Sequence, residues 1–227
     1  MNMHKITVYF LALNLMLVAC QSIAITNDQK PKDDAITGSN QTELSEQCLS
    51  LATKRSKFLA QAINGDPLGQ YCVGKTYLPF VGSKDDPNQA CRNEDEALNW
   101  FSKAAKKGVL DAISSKAYLL YSKDTEQAVA LFREAAEAGH TLSMYSLGSA
   151  LADGVGVPKN EIHALMWLNI AASRKSSLRN AIAINRDWVE KRLSREEVAA
   201  AQRMSSSWKP KIKQGTLVFQ SQEVDCQ

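Results

Sequence analysis

Apolar and polar positions divide the chain into three stretches. Ile6 to Ala19 is an apolar run broken by Thr7 and Asn14 and preceded by His4 and Lys5. As a helix rising about 1.5 Å per residue it would reach roughly 21 Å. That is short of the ~30 Å of a bilayer core, and a charged start before an apolar centre is the pattern of a signal peptide. Gln21 to Gln41 is polar, with Asn27, Asp28, Lys30, Pro31, Lys32, Asp33 and Asp34, and reads as a flexible tether. From Thr42 onward the apolar spacing turns helical. It predicts helices near 42–63, 67–78, 94–107, 110–121, 125–138, 142–152, 161–174, 178–192 and 195–207, with a loosely held tail at 209–227.

The helical part repeats itself. Ala97-Leu98-Asn99-Trp100-Phe101 through Ala104-Ala105-Lys106-Lys107-Gly108 aligns with Ala128-Val129-Ala130-Leu131-Phe132 through Ala135-Ala136-Glu137-Ala138-Gly139. Ala164-Leu165-Met166-Trp167-Leu168 through Ala171-Ala172 is the third copy. Between them lie Gly69-Gln70-Tyr71-Cys72-Val73-Gly74 and Ser143-Met144-Tyr145-Ser146-Leu147-Gly148, with Ile113 to Ala117 as a degenerate member. Asp153-Gly154-Val155-Gly156-Val157-Pro158-Lys159-Asn160 forms a connecting loop.

This sequence resembles the Sel1-like repeat, a relative of the tetratricopeptide repeat. That family pattern is an A helix ending in Ala-Ala-x-x-Gly, a B helix with a Leu-Gly pair, and a Gly-x-Gly-Val-Pro loop. The resemblance implies an all-α fold: a right-handed α-solenoid of helix-pair repeats (an α/α superhelix) over 42–174, closed by capping helices at 175–208. Small residues such as Ala97, Ala104, Gly74 and Gly148 would let helix backbones approach. Trp100, Phe132 and Trp167 would fill the wider gaps. Gly108 and Gly139 stand where a left-handed residue stops a helix. Asn93 with Glu96, Asp124 with Gln127, and Ser194 with Glu197 have capping-box spacing, and Asp66-Pro67 reads as N-cap then first helical residue.

Leu17-Val18-Ala19-Cys20 resembles the lipobox of bacterial lipoproteins. The resemblance implies removal of 1–19, lipidation of Cys20 and a tether over 20–41. Several acyl chains on one residue give lasting anchorage. Gln21 after the lipidated position points to the outer membrane, with the protein facing the periplasm. Four cysteines remain, Cys48, Cys72, Cys91 and Cys226, an even number suited to an oxidising compartment. A helix hairpin would bring Cys48 to Cys91, leaving Cys72 for Cys226 or buried and free. A Cys72–Cys91 bridge is the rival pairing, and four unpaired thiols the bland one.

Composition narrows the function. Apolar residues at 44% can supply a core, and a formal charge of +3 gives no argument for nucleic acid. Three histidines, His4, His140 and His163, leave little for metal chemistry, and no Cys-x-x-Cys occurs, so neither a metal nor a cofactor is expected. Ser206-x-x-Lys209 has the spacing of a penicillin-binding nucleophile pair but lacks the companion motifs. His140 is better read as packing a turn. Charge is uneven: from Ser173 to Gly215 eleven basic residues face four acidic ones. A solvated cap explains this most simply; a dock for an acidic partner or anionic headgroups is the functional reading.

The resemblance therefore implies a non-enzymatic scaffold or adaptor in the bacterial envelope, holding a protein partner in a groove lined by A helices. Its candidate contacts are Asn99, Lys103, Ala130, Glu134, His163, Met166 and Ile170. The alternative, also from the resemblance, is an immunity protein neutralising a periplasm-acting toxic effector such as a type VI secretion phospholipase. The remote alternative is an enzyme acting on peptidoglycan or β-lactams.

Overall fold

A computed structural model describes residues 39–78, 92–212 and 226, with side chains from Ser50 onward. All lie in one compact unit beginning at Ser39. The leader, Cys20, the tether up to Gly38, Cys91 and most of the tail lie outside the described residues.

Nine α-helices and no strand occur among the described residues. They are α1 (Ser39–Ile63), α2 (Pro67–Thr76), α3 (Glu94–Lys106), α4 (Leu110–Leu120), α5 (Thr125–Glu137), α6 (Thr141–Asp153), α7 (Glu161–Ala172), α8 (Arg179–Glu190) and α9 (Arg195–Ser207). Their limits fall within three residues of those read from the apolar spacing. The reason is that the ends are written in local chemistry. Asn93, Asp124 and Asn160 each accept a hydrogen bond from the amide three residues on. Ser194 and Glu197 close a reciprocal capping box. Pro67 opens α2 behind the Asp66 cap. Gly108 and Gly139 stop α3 and α5 at φ +82° and +108°, where a side chain would be strained.

From α1 through α8 each helix packs on its chain neighbours, α1 on α2, α2 on α3, and so on. That nearest-neighbour order defines an all-α solenoid. A helices (α1, α3, α5, α7) alternate with B helices (α2, α4, α6, α8). The core is a run of linked clusters. One gathers Tyr71, Val73, Phe101 and Ala104. The next holds Leu110, Ile113, Ala135 and Ala138. The largest holds Phe132, Leu147, Leu165, Leu168, Ile182 and Val189. Close approach depends on missing side chains: a Cβ on Gly74 would sit 2.6 Å from the Phe101 ring, and one on Gly148 would sit 2.9 Å from Leu168.

The order breaks at the end. α9 packs against α7 instead of pairing with α8. Ala201 is buried there, with Val198, Met204 and Trp208 against the same cluster. The chain then passes the end of α5. The Lys211 amide donates to the Glu137 carbonyl at 2.7 Å, and Arg174 donates to the Gly139 carbonyl at 3.1 Å. Cys226 is bonded to Cys72, so the chain's end is tied to its first described helix pair. The Cys72–Cys91 pairing is thereby overturned. Cys72 is buried in the first cluster, and Cys226 packs against that cluster. The Cys48 side chain and Cys91 lie outside the described residues.

Candidate functional site

The repeat alignment makes Asn99, Ala130 and Met166 equivalent positions, and likewise Lys103, Glu134 and Ile170. On α3 and α5 they are exposed: Asn99, Lys103, Ala130 and Glu134 all face solvent. Each pair is four residues apart, so it shares one helix face. The opposite faces, Ala97, Phe101 and Ala104 on α3 and Ala128, Phe132 and Ala135 on α5, are core. The Lys103 ammonium lies 4.1 Å from the centroid of the half-buried Trp100 ring. A cation over an indole beside Asn99 makes a polar, preshaped patch.

On α7 the equivalent positions are not available. Met166 and Ile170 are 7% and 5% exposed, so as partner contacts they are corrected to core residues. The physical reason is α9. It lies along α7, and a helix covered on two sides must be apolar on two sides. The sequence carried this signal: Met and Ile replace the Asn, Ala, Lys and Glu of the open repeats. His163, in the first turn of α7, stays exposed. Among these positions, those on α3 and α5 are exposed, as is His163 on α7.

His140 is buried and caps α6: its Nδ1 accepts from the Ser143 amide at 3.3 Å and lies 2.9 Å from the Ser143 hydroxyl. Its Nε2 lies 3.4 Å from an Asp111 oxygen on α4. The grouping has the residue types of a hydrolytic triad, but Ser143 is fully buried, so the hydroxyl cannot meet a substrate. It is a joint between two B helices. Nearby, burial and the Asp111 charge push the Tyr71 phenol up to about 12. Ser206, of the Ser-x-x-Lys pair, donates its hydroxyl proton to the Gln202 carbonyl at 2.8 Å. Among the described residues no group of three His, Cys, Asp or Glu side chains could hold a metal ion. No helix among them is long and apolar enough to cross a membrane.

Fold and surface together define a helical-repeat protein whose A helices carry exposed side chains over a small-residue core. Sel1 repeats are recognised over residues 68–109, 118–140 and 141–176, so the chain carries Sel1 repeats. Among solved structures it is similar to a protective antigen of uropathogenic Escherichia coli strains that displays an SLR fold. That likeness has 23% identity and a TM-score of 0.50, and covers 68% of this chain and 40% of the other. The chain thus spans well under half the length of that relative. A Sel1 repeat protein from Oxalobacter formigenes matches at 25% identity and TM-score 0.48, over 59% of this chain and 97% of that one. No curated protein matches the chain. Proteins built of Sel1 repeats generally mediate protein–protein interaction, and the fold is typically a non-enzymatic scaffold.

Proposed function

We propose that this protein is an envelope-anchored scaffold that holds a protein partner against the exposed A-helix positions of α3 and α5. The supporting observation is the contrast between repeats. Asn99, Lys103, Ala130 and Glu134 are exposed, while the equivalent Met166 and Ile170 are sealed by α9. These A-helix positions stay exposed where no later helix covers them, and turn to large apolar side chains only under the cap, so the uncovered face of α3 and α5 is where a partner would be met. The anchor is Cys20, after removal of 1–19, and Gln21 directs the protein to the outer membrane, facing the periplasm. This part of the reading is carried by the sequence Leu17-Val18-Ala19-Cys20.

Two experiments test it. A photo-crosslinking residue at Asn99 or Glu134, in intact cells, is expected to give a discrete protein adduct. The same residue at Asp153, the last residue of α6, is not. Adducts absent at Asn99 and Glu134, or equally abundant at Asp153, overturn the scaffold reading. Metabolic labelling with a fatty acid is expected to mark the wild-type chain and not Cys20→Ser. Equal labelling of the two overturns the anchor.

A further inference from the structure

The outer face of α8 is unlike the rest of the surface. Asn180, Ile184, Asp187, Trp188 and Lys191 fall on one helical stripe, and all are exposed. Ile184 is 68% and Trp188 51% exposed, although Ile182 and Val189 of the same helix are buried. Trp188 does not swing freely. The Arg192 guanidinium lies 3.2 Å from its ring centroid, and Arg192 is held in turn by Glu161 of α7 at 2.8 Å. The indole is thus clamped outward.

Charge around this stripe is predominantly basic, with Glu190 and Glu196 as the nearby carboxylates beside Asp187. Lys175 and Arg179 stand at the start of α8, Lys191 and Arg195 just beyond its end. All four are exposed and make no ion pair among the described residues. The carboxylate on the stripe, Asp187, is neutralised by its neighbour Arg186 at 2.8 Å. The preceding B helices extend the aromatic theme. Tyr118 of α4 is 46% exposed and hydrogen-bonds Ser146 of α6. The Tyr145 hydroxyl accepts from Asn185 of α8 at 3.2 Å.

We propose that the outer face of α8 rests on an anionic phospholipid surface. An exposed Trp beside an aliphatic residue, with unpaired cations at both helix ends, has the chemistry of a membrane interface. The amphipathic indole settles at headgroup depth. Each Lys or Arg near an anionic surface adds about 1 kcal/mol, roughly a fivefold gain in partitioning. A helix lying in the plane buries its apolar side and leaves its cations among the phosphates. This face belongs to the B helices, so it is separate from the A-helix surface proposed to hold a partner, and it does not depend on that reading.

The test uses the full chain and vesicles of phosphatidylglycerol or phosphatidylcholine, each with brominated acyl chains. Because Ile6 to Ala19 can itself enter bilayers, the readout is the difference between wild type and Trp188→Phe, which isolates one indole. Wild type is expected to lose more tryptophan fluorescence than Trp188→Phe on phosphatidylglycerol, with the difference abolished on phosphatidylcholine and in high salt. Replacing Lys191 and Arg195 by Ala is expected to weaken the Trp188-specific quenching about tenfold or more in lipid concentration. Equal quenching of wild type and Trp188→Phe on phosphatidylglycerol overturns the proposal. So does a photo-crosslink from position 184 to an acidic protein with no quenching of Trp188.

Discussion

Trp208 meets Trp167 edge to face, with ring centroids 5.9 Å apart and planes at 69°. Trp167 is buried in the last A helix, and Trp208 is the residue that ends the cap helix. The pair fixes how α9 closes the stack. Trp208→Ala is expected to lower stability by about 1–3 kcal/mol, the sum of lost apolar burial and ring geometry. Urea unfolding checks this, and near-ultraviolet circular dichroism should lose signal as Trp167 gains freedom. An unchanged midpoint would remove Trp208 from the closure.

Gly74→Ala tests close approach. Alanine favours a helix over glycine by about 1 kcal/mol, but here the new methyl meets two Phe101 carbons at 2.6 and 2.7 Å. Phe101 is fully buried and cannot yield cheaply. The overpacking cost, about 1–3 kcal/mol, wins. Gly74→Ala is expected to destabilise, and Phe101→Leu to recover part of the loss in a double-mutant cycle. A stabilised single variant would refute the packing account.

Stability should fall on the acid side through Glu161. Its carboxyl is held below the usual carboxylate range by the Lys159 hydrogen bond first and by Arg192 as well, against the opposing effect of desolvation. A depressed folded-state pKa stabilises the fold above the unfolded value of about 4.3, and that contribution is lost as pH falls through the folded value. Glu161→Gln is therefore expected to be less stable than wild type at pH 7, with the gap closing as pH falls through the lowered folded value. Melting curves across that range decide the matter; a constant gap would place the effect outside ionisation.

The Cys72–Cys226 bond joins residues 154 apart. Chain-entropy arithmetic for so long a loop gives about 5 kcal/mol, and measured bridges give ~2–4. Cys226→Ala, or reduction of the wild type, should lower the urea midpoint correspondingly. Hydrogen exchange should rise first in α2, whose Cys72 lies at the bond. Peptide mapping without reductant should recover Cys72 linked to Cys226.

At alkaline pH the raised Tyr71 phenol acts in the other direction. The folded state keeps its proton up to about 12, while the unfolded chain releases it near 10. Stability should decline between those values, and Tyr71→Phe should flatten that decline. The same slope in both proteins would exclude Tyr71 as its source.

Local chemistry was legible along the chain. Helix limits follow Asn93, Asp124, Asn160 and Ser194 at the starts and Gly108 and Gly139 at the stops, because a cap or a positive φ acts over four residues and needs no distant partner. The repeat was legible for a related reason: each helix pair buries the same small and aromatic positions against the next. The exposed positions Asn99, Lys103, Ala130 and Glu134 followed from that register.

Three things were decided only in three dimensions. α9 turns back onto α7, which makes Met166 and Ile170 core instead of contacts. Cys226 finds Cys72 across 154 residues. Arg192 clamps Trp188 while bound to Glu161. Each depends on which surfaces meet after the chain has reversed on itself. Spacing along a sequence records the period of a buried face, but not which later segment arrives to cover it.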